Sequence, residues 1–212
     1  MAQCARILLI DDHPAVRQGL ALLLTQERHQ VCGEAGNRSE MLVQLATSRA
    51  DMALLDLHLG DESGLDLIGD LRQQGVPVLV YSMFEDAHTI RRVFAEGAQG
   101  YVCKREVSDA LLNGVREVLE GRSHVSPVAA QSLLISEQKP DDESALSERE
   151  QQIIDLLGQG CSNLEIAEKL AIGIRTVESY CARAIEKLGL KGMRELRRHA
   201  IQNPRQSGRQ GK

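Results

Sequence analysis

Three carboxylates stand at the ends of two apolar segments of the chain. Asp11 and Asp12 follow the run Arg6 to Ile10, and Asp56 follows the run Met52 to Leu55. Acids placed together repel one another, and Mg²⁺, which prefers oxygen ligands, offsets that repulsion. The aspartates therefore predict a magnesium site, although an Asx turn that starts the next helix is a simpler explanation of the adjacent pair.

A hydroxyl and an ammonium group end two further segments, Val76 to Ser82 and Gly100 to Lys104. A phosphoryl group transferred to Asp56 would meet the metal on one side and these two donors on the other. The acyl phosphate adds about −1.5 to −2 of charge, so it is stable only with those cations in place. Taken singly, Ser82 could cap a helix and Lys104 could be a surface charge, but one shared pocket accounts for all of these side chains.

Five strands that alternate with five helices would bring these side chains together. The strands are expected near 6–10, 31–34, 52–55, 76–82 and 100–104, and the helices near 15–27, 41–45, 65–73, 87–96 and 109–120. This alternation predicts an α/β fold with a doubly wound parallel sheet. The flavodoxin-like order 2-1-3-4-5 puts the carboxyl ends of the strands at one edge of the sheet.

Composition separates the chain into an acidic and a basic part. Of 212 residues, the first 144 hold 13 Lys and Arg against 22 Asp and Glu, a net charge of −9, and the remainder holds 12 against 8, a net charge of +4. This asymmetry favours two domains and permits nucleic-acid contact only in the second. Five widely spaced cysteines without a Cys-x-x-Cys pair, and no apolar run near the roughly 18 residues of a membrane span, predict a soluble cytoplasmic protein with reduced thiols.

Four motifs resemble the receiver domain of bacterial two-component response regulators. They are Asp-Asp-His-Pro at 11–14, Asp-Leu-His-Leu at 56–59 with Gly64, Ser-Met-Phe-Glu-Asp at 82–86, and Gly-Tyr-Val-Cys-Lys at 100–104. The resemblance covers roughly Arg6 to Gly121. It implies that Asp56 is the phosphoacceptor and that Ser82 and Tyr101 relay its state toward the fourth helix and fifth strand.

For the metal, the resemblance implies direct ligation by Asp12, Asp56 and the backbone carbonyl of His58, with Asp11 acting through water. Two prolines usual in the family, one four residues after the acceptor and one shortly after the lysine, are replaced. Their loss loosens the loops but removes no ligand. We also hypothesise that the His58 side chain gates water and sets the lifetime of the phosphoryl group; an exposed histidine without effect is the alternative.

The expected domain boundaries follow from these segments. They are 1–122 for the receiver, 123–144 for a linker, 145–202 for a helical domain and 203–212 for a basic tail. Ser126 to Ile135, with proline at the first helical position, predicts a short helix in the linker. The acidic stretch that follows, Ser136 to Ser144, is typical of a flexible tether.

The helical domain carries the signals of a helix-turn-helix. Ser147 and Glu150 form a capping box, Ser162-Asn163 caps a short helix, and a longer helix is predicted from Arg175 to Leu188. Most helix pairs bind no DNA, so the prediction of DNA binding depends on the particular residues of the two helices. The domain closely resembles the LuxR-type helix-turn-helix through Leu146-Ser-Glu-Arg-Glu, Gly160-Cys-Ser-Asn-Leu-Glu-Ile-Ala, Arg175-Thr-Val-Glu, Lys187-Leu-Gly-Leu and Arg194-Glu-Leu.

Together the two matches resemble a response regulator of the NarL/FixJ type over nearly the whole chain. That resemblance makes the helix from Arg175 to Leu188 the recognition helix. The residues expected to contact DNA are Arg175, Thr176, Glu178, Ser179, Ala182, Arg183, Lys187 and Lys191. A carboxylate cannot bind phosphate but can accept a hydrogen bond from cytosine N4, so Glu178 is predicted to discriminate bases while the basic residues hold the backbone.

The resemblance implies a transcription factor controlled by phosphorylation. A sensor histidine kinase or a small phosphodonor would phosphorylate Asp56 with Mg²⁺, and the acidic receiver would release the basic helix that it occludes. The active form would be a homodimer on double-stranded DNA, joined through the last helix, Gly192 to Ile201, with RNA polymerase as a further partner.

Two other functions compete with this interpretation. A phosphoaspartyl hydrolase of the dehalogenase type also uses a strand-end aspartate with magnesium. That enzyme needs a second aspartate two residues further on as general acid, and His58 stands at that position. A regulator that binds DNA without phosphorylation is the other alternative, and the intact set of site residues argues against it.

Overall fold

The computed structural model describes residues 4–60, 62–137, 146–170 and 172–202. The chain divides into two compact units, Met1–Lys139 and Pro140–Lys212. Most of the predicted tether and the predicted basic tail lie outside the described residues. Within the described residues, no helix is both long enough and apolar enough to cross a membrane.

The first unit is a parallel sheet covered by helices. Its strands are β1 (Arg6–Ile10), β2 (Gln30–Ala35), β3 (Met52–Leu55), the hairpin strands β4 (His58–Leu59) and β5 (Glu62–Ser63), β6 (Val78–Ser82), β7 (Gly100–Cys103) and β8 (His124–Val125). Its helices are α1 (Pro14–Gln26), α2 (Arg38–Ser48), α3 (Gly64–Gln73), α4 (Ala87–Ala95), α5 (Ser108–Leu119) and α6 (Pro127–Glu137). The sheet order is β2-β1-β3-β6-β7-β8, with β4 and β5 paired separately. The predicted flavodoxin-like fold and the order of its first five strands are confirmed.

The central strands are apolar because helices cover both faces of the sheet. Every residue of β3 is buried, as are the last four of β1. Ile7, Leu9 and Leu54 pack in one cluster with Val102 and Val115. A strand buried on both sides needs this continuous apolar run, which is why the sequence pattern located β1 and β3.

A sixth strand corrects the predicted count of five. The His124 N–H donates to the Gln99 carbonyl at 3.0 Å and the Ser126 N–H to the Tyr101 carbonyl at 3.0 Å, so β8 pairs with the edge of β7 in parallel. Two residues give too short an apolar signal to predict a strand. The segment expected to begin the linker therefore contributes β8 and α6 to the first unit.

The second unit is a bundle of four helices. They are α7 (Glu148–Gly158), α8 (Asn163–Leu170), α9 (Ile174–Lys187) and α10 (Met193–Gln202). The predicted capping box is present: the Ser147 hydroxyl accepts from the Glu150 N–H, and the Glu150 carboxylate accepts from the Ser147 N–H. A Cβ at Gly158 would lie 2.6 Å from the Ala200 carbonyl oxygen, so only glycine lets α7 and α10 approach this closely.

Candidate functional site

The register of β1 and β3 places two of the aspartates side by side. Ile10 pairs with Leu55, and the Asp56 N–H donates to the Ile10 carbonyl at 2.8 Å. Asp11 and Asp56, the next residue on each strand, therefore leave the sheet at the same edge. A Cβ at Gly64 would lie 2.5 Å from the Asp56 carbonyl oxygen, so glycine is required where the chain folds back against Asp56.

Four side chains form a cluster with metal-binding potential. One oxygen each from Asp11, Asp12 and Asp56 and one nitrogen from His13 all lie within 4.8 Å of one another. His13 Nδ1 is 2.6 Å from Asp12 Oδ1 and 3.4 Å from Asp11 Oδ1. His13 is not among the ligands predicted from the sequence, although it is part of the Asp-Asp-His-Pro motif at 11–14.

Lys104 joins two of these carboxylates across the strand ends. Its Nζ donates to Asp11 Oδ2 at 2.6 Å and to Asp56 Oδ2 at 2.7 Å, and its side chain is 11% exposed. The Lys104 N–H donates to the Ser82 carbonyl at 2.8 Å, which fixes the lysine backbone against β6. Residues 93 positions apart in the sequence thus form one buried ion pair.

Burial dominates the electrostatics of this pocket. It raises the pKa of the Asp56 carboxyl, and the attraction of Lys104 offsets only part of that effect. Burial alone would lower the pKa of Lys104, but the charges and hydrogen bonds of Asp56 and Asp11 outweigh it and raise that pKa. Three carboxylates lie together, and the Lys104 ammonium group is bonded to two of them, so the pocket fits a divalent cation with oxygen ligands.

Ser82 and Tyr101 lie beside this pocket, and their hydroxyl groups differ in hydrogen bonding. Ser82 is 1% exposed, and its Oγ has no hydrogen-bond partner among the described residues. Buried hydroxyl groups are nearly always bonded, so an acceptor from a ligand would complete its environment. The Tyr101 ring is fully buried, and its hydroxyl donates to the Phe84 carbonyl at 2.7 Å in the loop after β6.

His58 begins the hairpin that follows Asp56. It pairs with Ser63 across the two short strands, and its backbone hydrogen bond to Asp56 favours the ionised carboxylate. Gly60, where the family usually has proline four residues after the acceptor, adopts φ +65° and donates its N–H to Asp12 Oδ2 at 3.1 Å. The replacement therefore gives the loop a hydrogen bond to the acidic cluster that proline cannot donate.

The second candidate site is the outer face of α9. Arg175, Glu178 and Ala182 are exposed, Ser179 is half-buried, and Lys191 is exposed just beyond the helix. These five residues are accessible to a ligand, as predicted for DNA contact. Their contact with bases or phosphates stays a prediction.

Three other residues of the predicted DNA-contacting set are less exposed, and their contact with DNA also stays a prediction. Thr176 is buried. Lys187 Nζ lies 2.8 Å from Glu150 Oε2, and Arg183 Nε lies 3.8 Å from Glu150 Oε1. The sequence predicted only the capping-box role of Glu150, because a periodicity pattern does not show which cation a buried acid meets.

Comparison with known proteins agrees with this geometry. A family model described as "Response regulator receiver domain" matches residues 7–116, and one described as "Bacterial regulatory proteins, luxR family" matches residues 144–200. The chain is 32% identical over 193 residues, 88% of its own length and 89% of the relative's, to the DNA-binding transcriptional activator DevR/DosR of Mycobacterium tuberculosis. It is 31% identical to the oxygen regulatory protein NreC of Staphylococcus epidermidis, over 92% of the chain and 96% of that protein.

Solved structures share the fold. The response regulator ChrA of a heme-sensing two-component system has a TM-score of 0.51 at 32% identity and covers 94% of this chain and 97% of its own. RcsB of Salmonella typhimurium has a TM-score of 0.60 at 22% identity and covers 95% of this chain and 100% of its own. At that lower identity, the likeness to RcsB concerns the fold alone.

Proposed function

The chain belongs to the response regulators in which a receiver domain precedes a LuxR-type helix-turn-helix domain, and from this premise we propose a transcription factor switched by phosphorylation of Asp56. The observation that carries the proposal is the Lys104 ammonium group, which is bonded to Asp11 and Asp56 at once. A cation so placed can neutralise charge on a phosphoryl group bound to Asp56.

The residues of the pocket divide the transfer between them. An Asp56 oxygen attacks the phosphorus of a phosphohistidine on a sensor kinase, or of acetyl phosphate, and the bond from phosphorus to the donor breaks as the new P–O bond forms. The Ser82 hydroxyl and Lys104 Nζ then donate to phosphoryl oxygens. Asp12, Asp56 and the His58 carbonyl, with Asp11 through water, would hold Mg²⁺, which neutralises phosphoryl charge when bound.

We place the relay to the rest of the receiver at Ser82 and Tyr101. A phosphoryl group gives the Ser82 hydroxyl an acceptor in the β6–α4 loop. The Tyr101 hydroxyl donates to the Phe84 carbonyl of the same loop at 2.7 Å. Phe84 follows Ser82 by two residues, so movement of Ser82 and movement of the tyrosine are coupled through this short stretch of chain. The two states must bind the phosphoryl group unequally for the switch to work.

The output is sequence-specific binding of double-stranded DNA in the cytoplasm. The name of the relative DevR/DosR, a DNA-binding transcriptional activator, supports it by analogy. In our proposal the exposed residues of α9 enter the major groove, with Glu178 selecting bases and Arg175 holding phosphate. A homodimer through α10 and contact with RNA polymerase complete the proposed partners.

Mass spectrometry after treatment with acetyl phosphate and Mg²⁺ tests the first step. Wild type should gain one phosphoryl group on Asp56, and Asp56→Asn should gain none. DNA affinity with and without the phosphodonor tests the second step. If phosphorylation occurs but leaves DNA affinity unchanged, the protein is a phosphorylation-independent regulator; if Asp56→Asn is phosphorylated as fast as wild type, the assigned acceptor is wrong.

A further inference from the structure

Glu150 is a buried carboxylate that connects the start of α7 to the recognition helix α9. Its side chain is 1% exposed. Oε2 accepts from the Ser147 N–H at 2.8 Å and from Lys187 Nζ at 2.8 Å, while Oε1 lies 3.8 Å from Arg183 Nε. One acid of α7 thus faces two cations of α9, and these three residues are called here the Glu150 clamp.

Helix geometry separates Lys187 from the exposed residues of α9. At 3.6 residues per turn, Lys187 lies nine residues, or about two and a half turns, from Glu178, which places the two side chains on opposite faces of α9. Lys187 is 11% and Arg183 19% exposed. The Arg183 guanidinium also stacks over the Tyr180 ring at 4.5 Å, and Tyr180 is itself buried in the bundle.

A buried ion pair constrains geometry more strongly than it adds stability. Removal of one partner leaves an uncompensated charge in a medium that solvates it poorly, and side chains must keep a narrow arrangement to avoid that cost. Because Glu150 is fixed at the start of α7 by its capping box, the ion pairs restrict the rotation of α9 about its own axis. That rotation decides which side chains reach the bases.

We propose that Glu150 is a positioning residue for DNA recognition, acting through Lys187 and Arg183, and that these two cations do not neutralise DNA phosphates. The inference rests on the proposed DNA-binding function. It reverses the expectation that both side chains hold the DNA backbone. Phosphate contact near the recognition helix then falls to the exposed cations, among them Arg175.

The salt dependence of DNA binding distinguishes a positioning role of Lys187 from direct contact with DNA phosphates. The probe is a labelled duplex selected from a random library by the full-length, phosphodonor-treated wild type. Each lost phosphate contact makes the slope of log K against log salt shallower by about 0.9 per bound subunit. We expect this change for Arg175→Met, whereas Lys187→Met should bind more weakly with the wild-type slope. An equally shallow slope for both variants overturns the inference.

Specificity tests the positioning role itself. Glu150→Gln keeps an acceptor for the Ser147 N–H but removes the charge, and we expect the ratio of affinities for the selected and a scrambled duplex to fall roughly tenfold, the equivalent of one mismatched base pair. Lys187→Arg, which preserves the ion pair, should keep the wild-type ratio. A lower urea midpoint for Glu150→Gln with an unchanged ratio would mean that the clamp is only structural and would overturn the proposal.

The outcomes also distinguish this inference from the function on which it rests. If the treated wild type selects no duplex, the proposed DNA-binding function fails and the positioning role fails with it. If the wild type binds and Lys187→Met does not fold, Lys187→Arg and Glu150→Gln still decide the specificity ratio. If Glu150→Gln then keeps the wild-type ratio of affinities for the selected and scrambled duplexes, the positioning role is contradicted and the DNA-binding function is not.

Discussion

Lys104 shows how a single residue can hold the resting state of the pocket. Its ammonium group is bonded to Asp11 and Asp56 and neutralises part of the charge of these two acids. The third acid, Asp12, faces His13 and the Gly60 N–H. The pocket therefore keeps an excess of negative charge without a metal. Groups with perturbed pKa values are concentrated at functional sites, and Asp56 and Lys104 fit that rule.

Replacement of Asp56 by asparagine should stabilise the metal-free protein at neutral pH. Burial raises the pKa of Asp56 in the folded state, so its ionised form is disfavoured by folding. The penalty is absent below the unfolded pKa of about 3.9 and grows as pH rises through the folded pKa. Urea unfolding in EDTA should give a higher midpoint for Asp56→Asn at pH 7, with the difference shrinking toward pH 4. If the difference between the two urea midpoints stays constant from pH 7 to pH 4, the raised pKa of Asp56 is contradicted.

His13 should add a nitrogen ligand to the proposed oxygen ligands when Mn²⁺ occupies the acidic cluster. Its Nδ1 lies 2.6 and 3.4 Å from oxygens of Asp12 and Asp11, and two ligands at right angles on an ion at about 2.1 Å would be about 3 Å apart. Pulsed electron paramagnetic resonance of bound Mn²⁺ should show ¹⁴N coupling in wild type and a loss of it in His13→Gln. The matched control is His58→Gln, which should retain the coupling; Mn²⁺ bound without ¹⁴N coupling in wild type would remove His13 from the ligand set.

At the scale of elements, α6 is tied to the strand that carries Lys104. Glu106, just after β7, accepts from the Cys103 N–H at 3.2 Å and from the Val128 N–H in the first turn of α6 at 3.1 Å. The buried Ser126 hydroxyl accepts from the same Cys103 N–H at 3.4 Å. A helix expected in a linker thus donates an N–H of its first turn to Glu106 in the loop that follows β7.

Removal of this acceptor should loosen α6 without disturbing the pocket. Glu106→Ala leaves the Val128 N–H without its acceptor, and loss of a helix cap costs about 1 kcal/mol. Urea unfolding of the first unit should report that loss, and hydrogen exchange should accelerate at the amides of α6. Glu96→Ala, at an exposed glutamate that ends α4, is the control and should change neither. Equal protection of α6 in both variants would show that Glu106 is not its cap.

At the scale of the molecule, two units of opposite charge perform different tasks. The first unit holds 13 Lys and Arg against 19 Asp and Glu, a net charge of −6, and the second holds 12 against 11, a net charge of +1; these sum to the −5 of the chain. The acidic cluster lies in the first unit, and α9, the proposed recognition helix, lies in the second. A ligand of the first unit should therefore act on the stability of that unit alone unless the switch couples the two.

Magnesium should raise the unfolding midpoint of the first unit selectively. Binding to the folded state alone stabilises it by about 2.7 kcal/mol at an ion concentration one hundred times the dissociation constant. Thermal unfolding followed by hydrogen exchange should show the shift at β1, β3 and α5 and none at α7. Asp12→Ala should abolish the shift; an equal shift at α7 would show that the units unfold as one.

Local pattern in the sequence determined the order of the elements and the identity of the acidic cluster. The apolar runs before Asp11 and Asp56 predicted β1 and β3, and right-handed crossovers then fixed the order of the first five strands. Capping residues and glycines predicted the helix ends of the second unit. These signals lie within a few residues of what they specify, so a single sequence contains them.

Tertiary structure alone decided which side chains meet. β8 exists because β7 offers a free edge, and its two residues carry no strand pattern of their own. Lys187 turns to Glu150, 37 residues away, rather than outward, because the bundle buries that face of α9. Hydrogen bonds and ion pairs between distant residues depend on distance and burial in the folded chain, and neither quantity is written in the local order of residues.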